Sequence, residues 1–305
     1  MNFCQLLKHE TEKIYQTLKV AQELEIDIQE ETLTELMLID LKLQSQQLGL
    51  NTTIVHCNKH TESRTGTDFL WFIGSKKYNS YIAFYIQAKK YSHEKYKLKH
   101  TYKKPKHGNI YDQAKNLIYN AKNAAGFEAI PVYCFYNLLD DKTLLESSYL
   151  KKFPHLDIRK EEFSFTYASA YHVESLLSKV HQTRKEKDGL KKKNICRAHF
   201  SFEEVQGLPI HTLFYKTTKY GLAHDIGWNF VDSHTTLYEG RNHTLHYLVN
   251  DYKYALPSYI KELLDEEKNN NKTEEDINEE EIMDEGVSLD VFKYLPHHII
   301  ISSED

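Results

Sequence analysis

The sequence predicts an α/β fold in which helices pack on a mixed sheet, and three observations predict it. Apolar residues recur at helical spacing through the first 48 residues. The period then shortens to that of strands, with a hairpin across residues 68–89. A helical stretch from Asp112 to Ala125 next separates that hairpin from a further strand at Ala129–Tyr136.

In the first helix, Leu6, Leu7, Ile14, Leu18, Ala21 and Leu24 form one apolar stripe, and Leu33, Leu36, Met37 and Leu41 repeat it in the second. The second helix opens at Glu30-Glu31-Thr32-Leu33-Thr34-Glu35, where Thr32 and Glu35 have capping-box spacing. Thr53-Ile54-Val55-His56 is short and β-prone. Asp68 to Ile73 and Tyr81 to Lys89 are apolar strands joined by the polar turn Gly74–Ser80. Ala114, Leu117, Ile118 and Ala121 return to helical spacing. Pro131 falls near the start of the next strand, where a missing donor matters least.

Beyond 145 the signals weaken. Tyr167 to Val180 reads as a helix, and Thr212 to Val231 as short β-prone pieces around Gly221 and Gly227. Residues 266–286, rich in Glu, Asp and Asn, read as solvated or disordered. Leu289 to Ile301 is apolar again and should dock back on the body. The chain therefore divides into a core with N-terminal helices over 1–145, a C-terminal region of unknown role over 146–265, the acidic segment 266–286 and a docking segment 287–305.

With 305 residues, 40% of them hydrophobic, the chain can bury a sizeable core. No apolar run approaches the roughly 20 residues of a membrane span, and the N-terminus lacks the pattern of a signal peptide. Cys4, Cys57, Cys134 and Cys196 are scattered. A reduced, cytoplasmic setting is the expectation. The net charge of −5 does not advertise a nucleic-acid binder, but its distribution matters more. Lysines crowd the stretch from Lys89 to Lys106, where Glu94 is the only acid, and a second basic run spans Arg184 to Arg197. Acids collect from Asp265 to Asp284. A negative total can therefore coexist with a positive surface for a phosphodiester.

Four polar residues sit where the strand pattern should be apolar or should end. Glu62 lies six residues before Asp68, with Gly66 between them. Asp68 opens the first hairpin strand. Gln87 and Lys89 lie two apart near the end of the next, on one face. Hairpin pairing sets Asp68 opposite them. Phosphodiester cleavage uses a hard cation to offset phosphate charge and acidify water. Carboxylate and amide oxygens at Asp68, Gln87 and Glu62 are ligands that Mg²⁺ or Mn²⁺ accepts. A lysine at 89 can orient the attacking water and stabilise developing charge.

Glu62-x-x-x-Gly66-x-Asp68 followed by Gln87-x-Lys89 resembles the Mrr-type variant of the PD-(D/E)xK nuclease core, in which Gln replaces the second acid. The flanking segments Glu62–Phe72, Gln87–Lys90 and Tyr133–Asn137 are similar to the bacterial DUF6615 family, over about residues 28–138. The resemblance implies a restriction-endonuclease-like mixed sheet flanked by helices and a metal-dependent endonuclease using Mg²⁺ or Mn²⁺. It implies a nucleic-acid substrate, DNA ahead of RNA, and a role in antiviral defence or as a toxin. It also implies a first-helix acid: Glu31 matches the helix-start motif, and Glu35 is its rival. Lys90, Lys95, Lys97, Lys99 and Lys103 would contact the nucleic acid.

The alternative is an inactive nuclease-fold protein that binds nucleic acid or a protein partner; a homo-oligomer or a regulatory partner is compatible with either reading. Intact Asp68, Gln87 and Lys89 argue for the enzyme. Gly74-Ser75 lacks the acid strand of a nucleotidyltransferase, and no Gly-x-Ser-x-Gly elbow is present. Cys196, His199 and His211 make an incomplete zinc set. His297-His298 is expected at a surface edge.

Overall fold

The computed structural model describes residues 2–56, 67–98, 101–103, 110–123, 129–156, 158–187, 199–215, 221–238, 255–262, 296 and 298–303. Helices α1 (Phe3–Glu23) and α2 (Glu30–Gln47) open the chain. Asn2 caps α1 in a reciprocal box with Gln5. Leu6, Leu7, Ile14, Leu18 and Ala21 are buried as the spacing predicts, while Leu24 lies exposed past the helix end. α2 starts where expected but by other means. Gln29 is its N-cap without a side-chain bond, and Thr32 lies inside the helix, so the Thr32–Glu35 box does not form. Glu30 and Glu31 occupy the first turn, where the helix end favours negative charge. Leu33, Met37 and Leu41 are buried, whereas Leu36 faces outward.

Strands β1 (Asn51–His56), β2 (Phe69–Ser75), β3 (Ser80–Ser92), β4 (Lys95–Lys97), β5 (Thr101–Lys103) and β6 (Ile110–Asp112) follow. After them come α3 (Gln113–Asn123), β7 (Ile130–Tyr136), α4 (Asp141–Glu146), β8 (Phe165–Ser169) and α5 (Ala170–Lys187). The chain continues through β9 (His199–Phe200), α6 (Phe202–Val205), β10 (Leu208–Pro209), α7 (Leu222–Tyr238) and β11 (His298–Ser303). Two expectations change here. The run from Tyr167 to Val180 is the end of a strand followed by a helix. The stretch from Leu222 onward, with Gly227 in it, is helical, because Leu222, Ile226 and Phe230 recur at helical spacing and are buried.

Among the described residues, nine strands form one mixed sheet in the order β1-β11-β2-β3-β7-β8-β10, with β4 on β3 and β9 on β4. The β2–β3 hairpin is antiparallel, from Phe69 opposite Ile86 to Ser75 opposite Ser80. Gly74 makes it possible: a Cβ there would lie 2.0 Å from the Ser80 carbonyl oxygen. β7 runs parallel to β3, and β11 parallel to β2. Every residue of β2 is buried, so Phe69-Leu70-Trp71-Phe72-Ile73 reads as an unbroken apolar run because both faces are covered. On one side Phe230 of α7 meets Phe84 and Tyr167, with ring centroids 6.1 Å away in each case.

The C-terminal segment does dock on the body, but as an interior strand. β11 lies between β1 and β2, and His298 is buried at 6% exposure instead of sitting at a surface edge. Ser302 is hydrogen-bonded by Trp71 Nε1 at 3.0 Å and lies 3.2 Å from the Thr52 hydroxyl, which ties both neighbours together. Strands from either side of residue 145 therefore share one sheet; the acidic segment 266–286 lies outside the described residues. The architecture is α/β, a mixed sheet flanked by helices, consistent with a restriction-endonuclease-like fold. No helix among the described residues is long and apolar enough to cross a membrane.

Candidate active site

The hairpin register carries Asp68 to a position facing Gln87. Its backbone N–H donates to the Ile86 carbonyl at 2.9 Å, which continues the ladder by one residue. The Asp68 carboxylate Oδ2 then accepts from the Gln87 amide at 2.6 Å and from the Ala88 N–H at 2.6 Å. Lys89 follows on the same face of β3. It is 5% exposed, and its ammonium donates to Glu30 Oε1 at 2.7 Å. A buried ammonium is tolerated only when paired in this way. The other Glu30 oxygen accepts the Lys90 N–H at 3.2 Å. The N-terminus of α2 is thereby pinned to the end of β3.

Glu30, and neither of the acids expected, makes this contact: Glu31 and Glu35 are exposed. Successive helix positions differ by about 100°, so the Glu31 carboxylate lies on another face of α2 than that of Glu30. Glu62 lies outside the described residues, as does Lys99. Lys90 is paired at the surface, donating to Asp27 Oδ1 at 2.5 Å and to the Ile28 carbonyl at 2.8 Å. That contact holds the Asp27 carboxyl below its usual range. Lys95 and Lys97 are exposed on β4, on either side of buried Tyr96. For Lys103 only the backbone, in β5, is described.

Gln113, at the start of α3, joins the site although the motifs do not include it. Its amide donates to Gln87 Oε1 at 2.8 Å, extending the chain Asp68–Gln87–Gln113. The sequence holds one signal of this: Gln113 shares a helix face with apolar Ala114, Leu117 and Ala121, where a polar residue needs a reason. Its own Oε1 is buried without a hydrogen-bond partner. An orphaned buried acceptor of this kind is what a bound cation or ordered water satisfies. As oriented, Gln87 turns its Nε2 toward both Asp68 Oδ2 and the Ala88 carbonyl, so a cation there would require the Gln87 and Gln113 amides to turn over together. Gln87 Oε1 would then sit beside Asp68 Oδ2, giving the all-oxygen donors that Mg²⁺ or Mn²⁺ accepts. The described residues contain no group of three or more His, Cys, Asp or Glu suited to a metal. A hard cation that keeps several waters needs fewer protein ligands than that, so the donors present fit it.

Neighbouring groups sense the negative charge. Burial, and then the Asp68 carboxylate, push the Cys134 thiol up. Burial also raises the Tyr136 phenol, opposed by its hydrogen bond with Thr34 of α2 at 3.0 Å. Behind the site, Asn137 accepts from Tyr96 at 2.6 Å and donates to Thr166 and to the Phe163 carbonyl. This buried network joins β4 to the ends of β7 and β8. Of the zinc grouping, His211 is buried 2.9 Å from Glu162 and His199 is exposed on β9, while Cys196 lies outside the described residues.

A protein-family model with the description "Family of unknown function (DUF6615)" matches residues 3–290. The likeness therefore reaches well past the stretch over which the motifs suggest it. No curated protein matches the chain.

Proposed function

We propose that the chain, which belongs to the DUF6615 family, is a metal-dependent nuclease of the PD-(D/E)xK type that hydrolyses phosphodiester bonds of nucleic acid, with DNA the first substrate to test. One observation carries this reading: Asp68, Gln87 and Lys89 meet at one end of the sheet, with Gln87 against Asp68 at 2.6 Å and Lys89 held by Glu30 at 2.7 Å.

Asp68 and Gln87, with Glu62 from the segment before β2, would hold Mg²⁺ or Mn²⁺. When bound, that ion offsets charge on the scissile phosphate and acidifies the attacking water. Glu30 pairs with the Lys89 ammonium and fixes its reach, so the ammonium can orient water and stabilise charge developing on the phosphate. Gln113 holds the Gln87 amide in place. Lys95 and Lys97 offer positive charge to the flanking backbone of the substrate. Free thiols at Cys4 and Cys134 suit a reducing, cytoplasmic setting, and a role in antiviral defence or as a toxin follows from the nuclease reading.

The test is incubation of the full-length protein with plasmid, linear DNA and RNA, with Mg²⁺, Mn²⁺ or EDTA. Cleavage should require the cation, stop in chelator and disappear in Asp68→Ala and Lys89→Ala proteins that retain the wild-type melting profile. Undiminished cutting in EDTA, or by folded Asp68→Ala, would overturn the assignment.

A further inference from the structure

We propose that the outer face of α3 binds single-stranded nucleic acid and carries one arm of the substrate strand away from Asp68 and Gln87. The inference rests on the nuclease reading for where the strand is cut, and on the face itself for how the strand is held. α3 begins at the candidate site, where Gln113 donates to Gln87 at 2.8 Å, and leads back to the start of β7. Ala114, Leu117 and Ala121 are buried against the body. On the opposite face Lys115, Tyr119 and Lys122 are exposed, the tyrosine at 60%. At helical spacing these three fall within about 60° of one another, in a stripe roughly 10 Å long.

The charges of the stripe say what it takes. Between Lys95 and Lys122 there are eight lysines and one acid, Asp112, so the basic stretch that follows the active-site strand ends on α3. α3 itself holds no acid. An ordinary solvated face in a chain of net charge −5 mixes both signs, as exposed Lys19 and Glu23 do on α1. Among the described residues, no carboxylate pairs with Lys115 or Lys122. The Lys122 ammonium lies over the Tyr171 ring of α5, 5.5 Å from its centroid, a contact that places the charge without neutralising it. Uncompensated lysines in a row are complementary to a phosphate backbone.

Tyr119 decides between duplex and single strand. Its exposed ring stands between the two lysines. A base can stack on it only if the face of that base is open, and in a duplex both faces are covered by neighbouring bases. A positive track with an aromatic ring set into it is the combination that holds unpaired nucleotides. β4 and α3 both adjoin the end of β3 that bears Gln87 and Lys89, so charge is offered to the strand on two elements that leave the site.

Fluorescence anisotropy of the full-length protein in EDTA reads binding apart from cleavage. The probes are a labelled oligothymidylate of about 20 nucleotides, an oligouridylate of the same length and a matching DNA duplex. Wild type should bind at least one of the single strands about tenfold or more tightly than the duplex, and a difference between the two names the sugar it prefers. Tyr119→Ala should weaken single-strand binding about tenfold, whereas Tyr119→Phe, which keeps the ring, should change it by no more than about twofold. Lys115→Ser/Lys122→Ser should reduce the slope of log affinity against log salt by about 1.4, at roughly 0.7 for each phosphate of a single strand. A duplex held as tightly as both single strands, a Tyr119→Ala protein that binds like wild type, or an unchanged slope would each overturn the proposal. Single-strand binding with these properties in a protein that cuts nothing with Mg²⁺ or Mn²⁺ would sink the nuclease reading and leave the binding face standing. Cation-dependent cleavage by a protein whose single-strand affinity ignores all three α3 changes would do the reverse.

Discussion

The Gln87 amide is shared between a carboxylate and a second amide, and this sharing is the most constrained feature of the site. Asp68 Oδ2 lies 2.6 Å from Gln87 Nε2, so Gln87→Glu would set two carboxylates in direct contact. Like charges at that distance cannot both stay ionised without a cation or a proton between them. The variant should therefore melt lower than wild type in EDTA, by an amount equivalent to about 1–3 kcal/mol. Added Mn²⁺ should raise its melting temperature more than it raises that of wild type. Melting curves of both proteins with and without Mn²⁺ decide this; equal responses would remove Gln87 from the cation site. The Asp68–Gln87 contact is legible in the sequence because a hairpin is local. A two-residue period and a turn between Gly74 and Ser80 suffice to place one opposite the other. Glu30 is not legible to the same degree. Which acid of Glu30-Glu31 reaches Lys89 depends on the rotation of α2 about its axis, set by Leu33, Met37 and Leu41 docking on the body.

At the scale of elements, β4 matters most. It is three residues long and pairs with β3 and β9, and its central Tyr96 is anchored through Asn137 to the ends of β7 and β8. That anchoring presents Lys95 and Lys97 as a fixed pair, directly after the strand bearing Gln87 and Lys89. Not all of the basic run behaves alike: Lys89 and Lys90 are committed to Glu30 and Asp27, which sequence position alone could not reveal. Lys95→Ser/Lys97→Ser should weaken nucleic-acid binding about equally across sequences. It should also reduce the slope of log affinity against log salt by roughly one unit for each phosphate that the variant no longer neutralises. Fluorescence anisotropy with labelled DNA at several salt concentrations measures it. An unchanged slope would make these two lysines an ordinary solvated face. Lys90→Ser, by contrast, should alter the slope little, because its charge is already paired.

At the scale of the whole molecule, the strand nearest the C-terminus completes the centre of the sheet. The apolar stretch from Leu289 to Ile301 announces a docking segment, but no local pattern says that it enters between β1 and β2. Such a pairing joins residues some 250 positions apart, as in Thr52 with Ser302, and rests on matching of shape and register across the fold. Strands from either side of residue 145 share the sheet for the same reason: β8 and β10 are short, and their place in it depends on contacts that no local pattern encodes. Physical consequences follow for truncation. Ile299, Ile300 and Ile301 are 0%, 0% and 7% exposed, and burying each contributes about 2–3 kcal/mol. Removing residues 298–305 would sacrifice on the order of 6–9 kcal/mol of apolar burial and leave β1 and β2 without a ladder partner between them. Since a domain of this kind is stable by only about 5–15 kcal/mol in total, most or all of that margin disappears. The truncated chain should lose its cooperative denaturant transition or shift it far below that of wild type. The single change Ile300→Ala should lower stability by about 2–5 kcal/mol. Nuclease activity should fall with the folded fraction in both, because β11 begins beside Phe69, one residue from Asp68. A fragment ending at 297 that melts like the full chain would show that β1 and β2 can close on each other without β11, and that the order β1-β11-β2-β3 is not what holds Asp68 opposite Gln87.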